Sequence, residues 1–389
     1  MLVLVAACLV GLGAANGAGA APAQAPAEPG ATDWATVSAG GDHTCGIRTS
    51  GALYCWGQDT YGQLGDGGAN TDQPAPVQVG GATNWSKVSA GTSHTCAVKT
   101  NGRLFCWGRD HVEQLGDGFG TTDQTTPVRI GSAANWVAVD AGGAHTCGRR
   151  TTGRLFCWGS DTAGRLGDDP VEQQQPSPVE VAGGATDWAS FDAGAAHSCA
   201  IKTTGQLYCW GGDSFLQLGD GDAQVDQLVP VRAGANRARW TSVAVGDFHT
   251  CAIKTNGRLY CWGSDDYNQR GEGPTNEAYD GDPVRIGSAS DWTVVAAGRV
   301  HTCARNTARE LHCWGNDDTG QVGNDAGTTV QPAPVEVDGA ATDWGSLAVG
   351  RLHTCARRTT DALYCWGFDD SGQLGDGGAD ANQMVPVQI

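Results

Sequence analysis

Basic charge is scarce in this 389-residue chain: 24 lysines and arginines face 42 aspartates and glutamates, for a formal net charge of −18. A surface of that sign repels phosphate backbones and anionic lipid heads, which excludes nucleic acid as an expected partner. The apolar run at residues 2–12, LVLVAACLVGL, falls well short of the roughly 20 residues that a membrane-spanning helix needs. There is no Gly-x-Ser-x-Gly elbow, no paired-histidine zinc motif and no EF-hand or nonapeptide calcium loop. The glycine-rich runs are not followed by Lys-Ser or Lys-Thr, so they are read as tight turns rather than phosphate cradles. Cysteine is missing everywhere except Cys8 and one strict pattern.

That pattern is a spacing of ten, met seven times: Cys45 with Cys55, Cys96 with Cys106, Cys147 with Cys157, Cys199 with Cys209, Cys251 with Cys261, Cys303 with Cys313 and Cys355 with Cys365. A tryptophan opens each unit (Trp34, Trp85, Trp136, Trp188, Trp240, Trp292, Trp344), and a second follows each later cysteine, from Trp56 to Trp366. Together they account for all 14 tryptophans. Units 34–84, 85–135, 136–187, 188–239, 240–291, 292–343 and 344–389 follow without interruption, so the repeats are expected to form one domain.

Ahead of them, residues 1–20 read as a signal peptide ending near Ala18-Gly19-Ala20, and residues 21–33 as a Pro/Ala-rich linker. Val5-Ala6-Ala7-Cys8 also resembles a lipobox, so a lipoprotein anchored in the cell envelope stands beside free secretion. Cleavage removes Cys8 and leaves an even number of regularly spaced cysteines, which in an exported chain reads as disulfides rather than zinc ligands.

The spacing itself has a geometric reading. In HTCAIKTNGRLYCWG, residues 249–263, Thr255-Asn256-Gly257 forms a three-residue hairpin loop whose glycine suits the left-handed position. If Lys254 and Arg258 close the turn as a hydrogen-bonded pair, Ile253 faces Leu259, Ala252 faces Tyr260 and Cys251 faces Cys261. The cysteines then form a non-hydrogen-bonded pair, where side chains approach most closely. The turn glycine recurs as Gly51, Gly102, Gly153 and Gly205 but is replaced by Arg309 and Asp361, which one shared backbone would hold at positive φ.

Each unit offers two more short strands, such as WTSVAVG (240–246) and PVRIG (283–287). Four strands per unit, seven times over, predict an all-β, seven-bladed propeller with one disulfide-stapled hairpin per blade. At DTYGQLGDG, residues 59–67, the chain resembles the regulator of chromosome condensation repeat family, whose blades carry Gly-Gln-Leu-Gly-x-Gly. The signature returns as EQLGDG (113–118), GRLGDD (164–169), LQLGDG (216–221), NQRGEG (268–273), GQVGND (320–325) and GQLGDG (372–377). Arg270 stands where leucine is expected, and Asn324-Asp325 closes the sixth signature irregularly. The resemblance implies seven four-stranded blades. It also implies that the terminal strand VPVQI, residues 385–389, closes the ring against the N-terminal blade. The family spans nuclear guanine-nucleotide exchange factors and a secreted bacterial inhibitor of β-lactamase, and the expected export makes the second the nearer analogy.

Seven histidines (His43, His94, His145, His197, His249, His301, His353) precede the first cysteines by two. An active site needs one asymmetric constellation, whereas a scaffold needs the same hydrogen bond in every blade, so these are read as structural. No catalytic residue, metal ligand or cofactor is nominated. Differences between repeats nominate the binding positions instead. The pair before each histidine is large in the last three units, at Phe248, Arg299, Val300, Arg351 and Leu352, and the residue after Trp-Gly includes Arg109 and Phe368. The expected function is a monomeric, secreted or cell-surface scaffold that recognises a protein or a glycan through one propeller face. The other readings are an extracellular lyase or hydrolase working at the central channel, and a structural adhesion module.

Overall fold

The structure is a computed structural model that describes residues 30–169, 174–221, 224–234, 238–274, 278–327, 329–378 and 381–389. The expected signal peptide and residues 21–29 of the linker lie outside the described residues. Twenty-eight strands form seven four-stranded sheets, each made of four consecutive strands. In the first blade, strand a is Trp34–Ala39, b His43–Arg48, c Leu53–Gly57 and d Gln73–Gln78. Every a strand begins at a repeat tryptophan and every b strand at a repeat histidine. One 3-10 turn, Thr162–Gly164, is the only helical piece among the described residues. None of those residues forms a helix long and apolar enough to cross a membrane.

The hairpin register is the expected one. Cys251 faces Cys261, Ala252 faces Tyr260 and Ile253 faces Leu259, and the Lys254 N–H donates to the Arg258 carbonyl at 3.0 Å. The Cα atoms of Cys251 and Cys261 lie 4.1 Å apart, as befits a non-hydrogen-bonded pair. All seven expected bridges form, each inside one blade and each across the b–c hairpin. Cys45 is bonded to Cys55, Cys96 to Cys106, Cys147 to Cys157 and Cys199 to Cys209. Cys251 is bonded to Cys261, Cys303 to Cys313 and Cys355 to Cys365. Arg309 and Asp361 take φ of 63° and 64°, beside 72° at Gly257, so the seven turns share one backbone.

The hydrophobic cores lie at the seams between blades. Cys45, Leu53, Cys55 and Leu64 of blade one pack with Trp85, Ala97 and Trp107 of blade two. The glycine after Leu64 is required there: a Cβ on Gly65 would fall 2.4 Å from Trp107 Nε1. On the solvent side each opening tryptophan carries the cation that ends strand b in most blades. Arg48 lies 3.9 Å from the Trp34 ring centre and Lys254 4.9 Å from that of Trp240.

Ring closure corrects one expectation. The terminal strand, Gln383–Gln388, pairs with Leu363–Gly367 inside its own blade. The chain enters blade one at its innermost strand and leaves blade seven at its outermost, so no sheet is left short. Closure comes from packing, with Ile389, Leu374, Cys355 and Cys365 around Trp34 and Trp56, and from the Arg351 N–H donating to the Gly40 carbonyl at 3.0 Å.

Candidate binding face

Two sets of loops emerge at one end of the propeller, the short a–b loops (40–42 in blade one) and the long c–d loops (58–72). The b–c hairpins and the links between blades lie at the other end. Each long loop folds around a buried aspartate. Asp59 accepts from the Leu64 N–H at 2.9 Å, while its own N–H donates to Asp72 at 2.9 Å. Burial pushes the Asp59 and Asp110 carboxyls up to about 7.

The two positions that vary most turn out to be neighbours. In every blade the residue after Trp-Gly donates its N–H to the carbonyl of the residue just before the histidine: Arg109 to Ser93, Ser264 to Phe248, Asn316 to Val300 and Phe368 to Leu352, at 2.9 to 3.0 Å. All the nominated residues therefore belong to the loop face, but they do not form one patch. Arg299 and Arg351 line the mouth of the central channel, a cavity of about 260 Å³ walled on its other sides by Gly41, Thr92, Gly143 and Ala195. Leu352 and Phe368 sit side by side, both half-buried. Phe248 is half-buried against Phe215 of blade four, with ring centres 4.9 Å apart. Arg109, far around the ring in blade two, stacks on Tyr61 at 4.5 Å. Val300 is a correction: it is only 6% exposed and offers no surface, because its side chain packs into the protein rather than toward solvent.

The histidines form a closed relay. His43 Nε2 lies 2.8 Å from Thr95 Oγ1, and that hydroxyl donates to the Gln63 carbonyl at 2.8 Å. Its one proton is thus committed, so His43 is the donor and carries its hydrogen on Nε2. The same contact runs on through every seam and ends at His353 and Thr44. Burial drives these imidazoles down to about 3 at His43, His94, His197, His249 and His301, and to about 4 at His353. Fully buried and neutral, they hold the ring together and reach no ligand.

The bore of the channel breaks the sevenfold pattern. One position of strand a reads Ser38, Ser89, Asp140, Asp192, Ala244, Ala296 and Ala348 around a space of about 320 Å³. Ser89 donates to Asp140 at 2.9 Å, and Asp140 in turn accepts the Ala193 N–H at 2.6 Å. Asp192 accepts the Val245 N–H at 2.5 Å and bonds Asp140, and burial raises both carboxyls. Both aspartates are half-buried where they line the bore, and two carboxylates this close disfavour each other's ionisation. No group of three or more potential metal ligands occurs among the described residues.

Charge is segregated along the propeller axis. Every long loop brings several carboxylates, whereas its basic residues are confined to Arg109, Arg165 and Arg270 among the described residues. Arg270 fills the slot that Leu64 fills in blade one; it is fully buried and ion-paired with Glu272 and, at 3.7 Å, with Asp265. Of the channel-mouth arginines, Arg299 is likewise set among acids. Arg299 lies 3.9 Å from Asp247, whose carboxyl burial lifts to about 6. Asp42 feels Asp72, Arg299 and Asp370, and burial raises it as well. Cations such as Arg154, Lys202 and Arg358 belong to the opposite end.

Sequence reasoning passed over the second residue after each loop aspartate, which is Phe215 in blade four and Tyr267 in blade five. The same comparison between repeats would have found it, because small residues stand there in other units, Ala163 and Ser371 among them.

Comparison with known proteins agrees with this architecture. A model of the RCC1-like domain matches residues 132–389. Models of the regulator of chromosome condensation repeat match residues 50–98 and 101–148, and also 34–63 and 85–114. The ultraviolet-B receptor UVR8 of Arabidopsis thaliana is 31% identical over 354 residues, covering 88% of this chain and 78% of the receptor. The human E3 ubiquitin-protein ligase HERC2 is 30% identical over 365 residues; these are 90% of this chain, but the chain spans only 7% of the ligase's length. Among solved structures, human WBSCR16 superposes with a TM-score of 0.78 at 19% identity, covering 87% of this chain and 93% of that one.

Proposed function

The chain belongs to the regulator of chromosome condensation repeat family, and on that premise we propose that it is an exported, non-enzymatic scaffold that binds a protein partner through its loop face. The observation that carries this reading is the pairing of the variable positions. One hydrogen bond per blade sets the residue after Trp-Gly beside the residue before the histidine, while the tryptophans, disulfides and histidines that recur are buried. What repeats is scaffold, and of what varies, Arg109, Phe248, Leu352 and Phe368 keep part of their surface on one face while Ser160, Ser264, Val300 and Asn316 are buried. Seven cysteine pairs and the N-terminal apolar run of residues 2–12 support an oxidising, extracytoplasmic setting.

The test is capture from the surrounding medium or envelope extract with three purified forms. Wild type and the hairpin-end variant Arg154→Ala are expected to retain the same protein, and the loop-face double variant, Leu352→Ala with Phe368→Ala, to retain much less. Equal retention by all three refutes the reading. A glycan partner would instead show as binding that survives protease treatment of the extract and is lost on deglycosylation.

A second reading, an enzyme working inside the channel, is favoured by the Asp140–Asp192 pair. Against it, backbone amides and Ser89 already occupy these carboxyls, and the surrounding wall is largely alanine and valine.

A further inference from the structure

Among the described residues, six large apolar side chains are exposed: Phe119, Val225, Leu228, Tyr267, Tyr279 and Met384. Each of them lies in a c–d loop or in the first two residues of a d strand, at the loop-bearing end. Four of the six belong to blades four and five. There Phe215 is the centre of a connected group, its ring 4.9 Å from Phe248 and 6.4 Å from Tyr279. Tyr267 occupies in blade five the place that Phe215 holds in blade four, and Tyr267 and Tyr279 are 45% and 42% exposed.

The charge around these rings has one sign. Asp226, Asp266 and Asp282 are exposed or nearly so, and Asp220, Asp280 and Glu272 are half-buried. The one basic side chain of these two long loops among the described residues, Arg270, is fully buried in its own ion pairs. Aromatic faces beside carboxylates, with no cation of these loops at the surface, make a site for a cation that can also stack. A guanidinium does both, because it is planar and weakly hydrated, whereas an ammonium is compact and strongly hydrated. The acidity of the face disfavours anionic partners over the same area.

We propose that the loop face of blades four and five docks an arginine-bearing polypeptide segment, with guanidinium groups stacked on Tyr267 and Tyr279 and paired with Asp266 and Asp282. This deepens the scaffold reading and rests on it: the partner is a protein, and its contact surface is basic and carries arginine in particular. Arg299 at the channel mouth does not oppose this choice, since it is set beside Asp42 and Asp247.

The experiment uses the full propeller and defined probes: a labelled twelve-residue peptide alternating arginine with leucine, its lysine counterpart and its glutamate counterpart, followed by fluorescence anisotropy. The arginine peptide is expected to bind at least tenfold more tightly than the lysine peptide, and the glutamate peptide not at all. Two double variants, Tyr267→Ala with Tyr279→Ala and Asp266→Asn with Asp282→Asn, should each weaken the arginine peptide at least tenfold. Phe119→Ala, on the same face in blade two, should leave it unchanged. Circular dichroism melts confirm that the variants remain folded. Equal affinity for arginine and lysine peptides, or no effect of the tyrosine pair, or an equal effect of Phe119→Ala, overturns the proposal. If capture of the partner is lost with the Leu352 and Phe368 double variant but indifferent to the tyrosine double variant, this docking site fails while the scaffold reading stands.

Discussion

Replacing the hairpin glycine of blade five by alanine should cost about 2–3 kcal/mol, and the reason lies mostly outside the hairpin. Gly257 has a φ of 72°, where an L residue is disfavoured by roughly 1–2 kcal/mol. Alanine recovers about 0.5–1 kcal/mol of that by stiffening the unfolded chain. The larger effect is steric: a Cβ on Gly257 would lie 2.3 Å from the Ser290 carbonyl oxygen and 2.8 Å from its carbon. Both are backbone atoms of the link into blade six, so the link itself must move. Trp292 at its end donates its N–H to the Gly257 carbonyl at 3.0 Å, and losing that bond costs about 1 kcal/mol more.

Gly205 supplies the control. Its φ is 79°, yet the nearest atom to a Cβ there is Arg239 Cδ at 3.2 Å, on a flexible side chain. Gly205→Ala should therefore cost no more than about 1 kcal/mol. The reverse substitution completes the set. Arg309 holds a φ of 63° beside Arg305, whose ionised form burial, and secondarily Arg309, already disfavours. Arg309→Gly should stabilise by about 1 kcal/mol. Urea titration of the oxidised protein, followed by tryptophan fluorescence, gives all three differences. Equal losses at Gly257 and Gly205, or a loss at Arg309→Gly, would refute the reasoning.

Two further outcomes follow from buried ionisable groups. Arg270→Leu restores the side chain of blade one's slot and is expected to be neutral or to stabilise by up to about 2 kcal/mol, since Glu272 can turn to water; a clear loss in urea titration would make the ion pair a net stabiliser. The histidine ring contributes acid sensitivity. Folded-state values of about 3 to 4 lie below the ordinary 6.5, so stability is intact above 6.5 and is lost as pH falls through that value toward 4. The raised carboxyls Asp42, Asp59, Asp110, Asp140, Asp192, Asp247 and Asp317 act oppositely, losing stability as pH rises from about 4 toward 6 to 7, and they match the histidines in number, so the two sets oppose each other over that range. His94→Gln, which keeps a donor for Thr146, should lower the slope of stability against pH between about 4 and 6.5 by about one proton relative to the wild type. An unchanged slope would show that the imidazoles are protonated in the folded state.

Blade number, hairpin register, the seven bridges and the positive φ at Arg309 and Asp361 were all determined by the sequence, because each depends on residues close together along the chain. A spacing of ten around a three-residue turn leaves one antiparallel register, so Cys106, Cys157, Cys209, Cys313 and Cys365 find their partners as Cys261 does, and a period of 51 or 52 residues repeats the arrangement. The locus of the variable positions on one face is local too, since it follows from which loops join which strands. What only the tertiary structure decided lies across the seams. The partner of each histidine is a hydroxyl 52 residues away at His43 and His94, and Phe215 meets Phe248 only because blade four abuts blade five. Val300 reads as a surface anchor until packing covers it. Asp140 and Asp192 are ordinary strand residues in the sequence, and they become a hydrogen-bonded carboxyl pair because ring closure brings successive inner strands together around a narrow bore. Burial, and with it the strength of every charge interaction, is set by what packs on the far side of a residue, and in a closed ring that is another repeat.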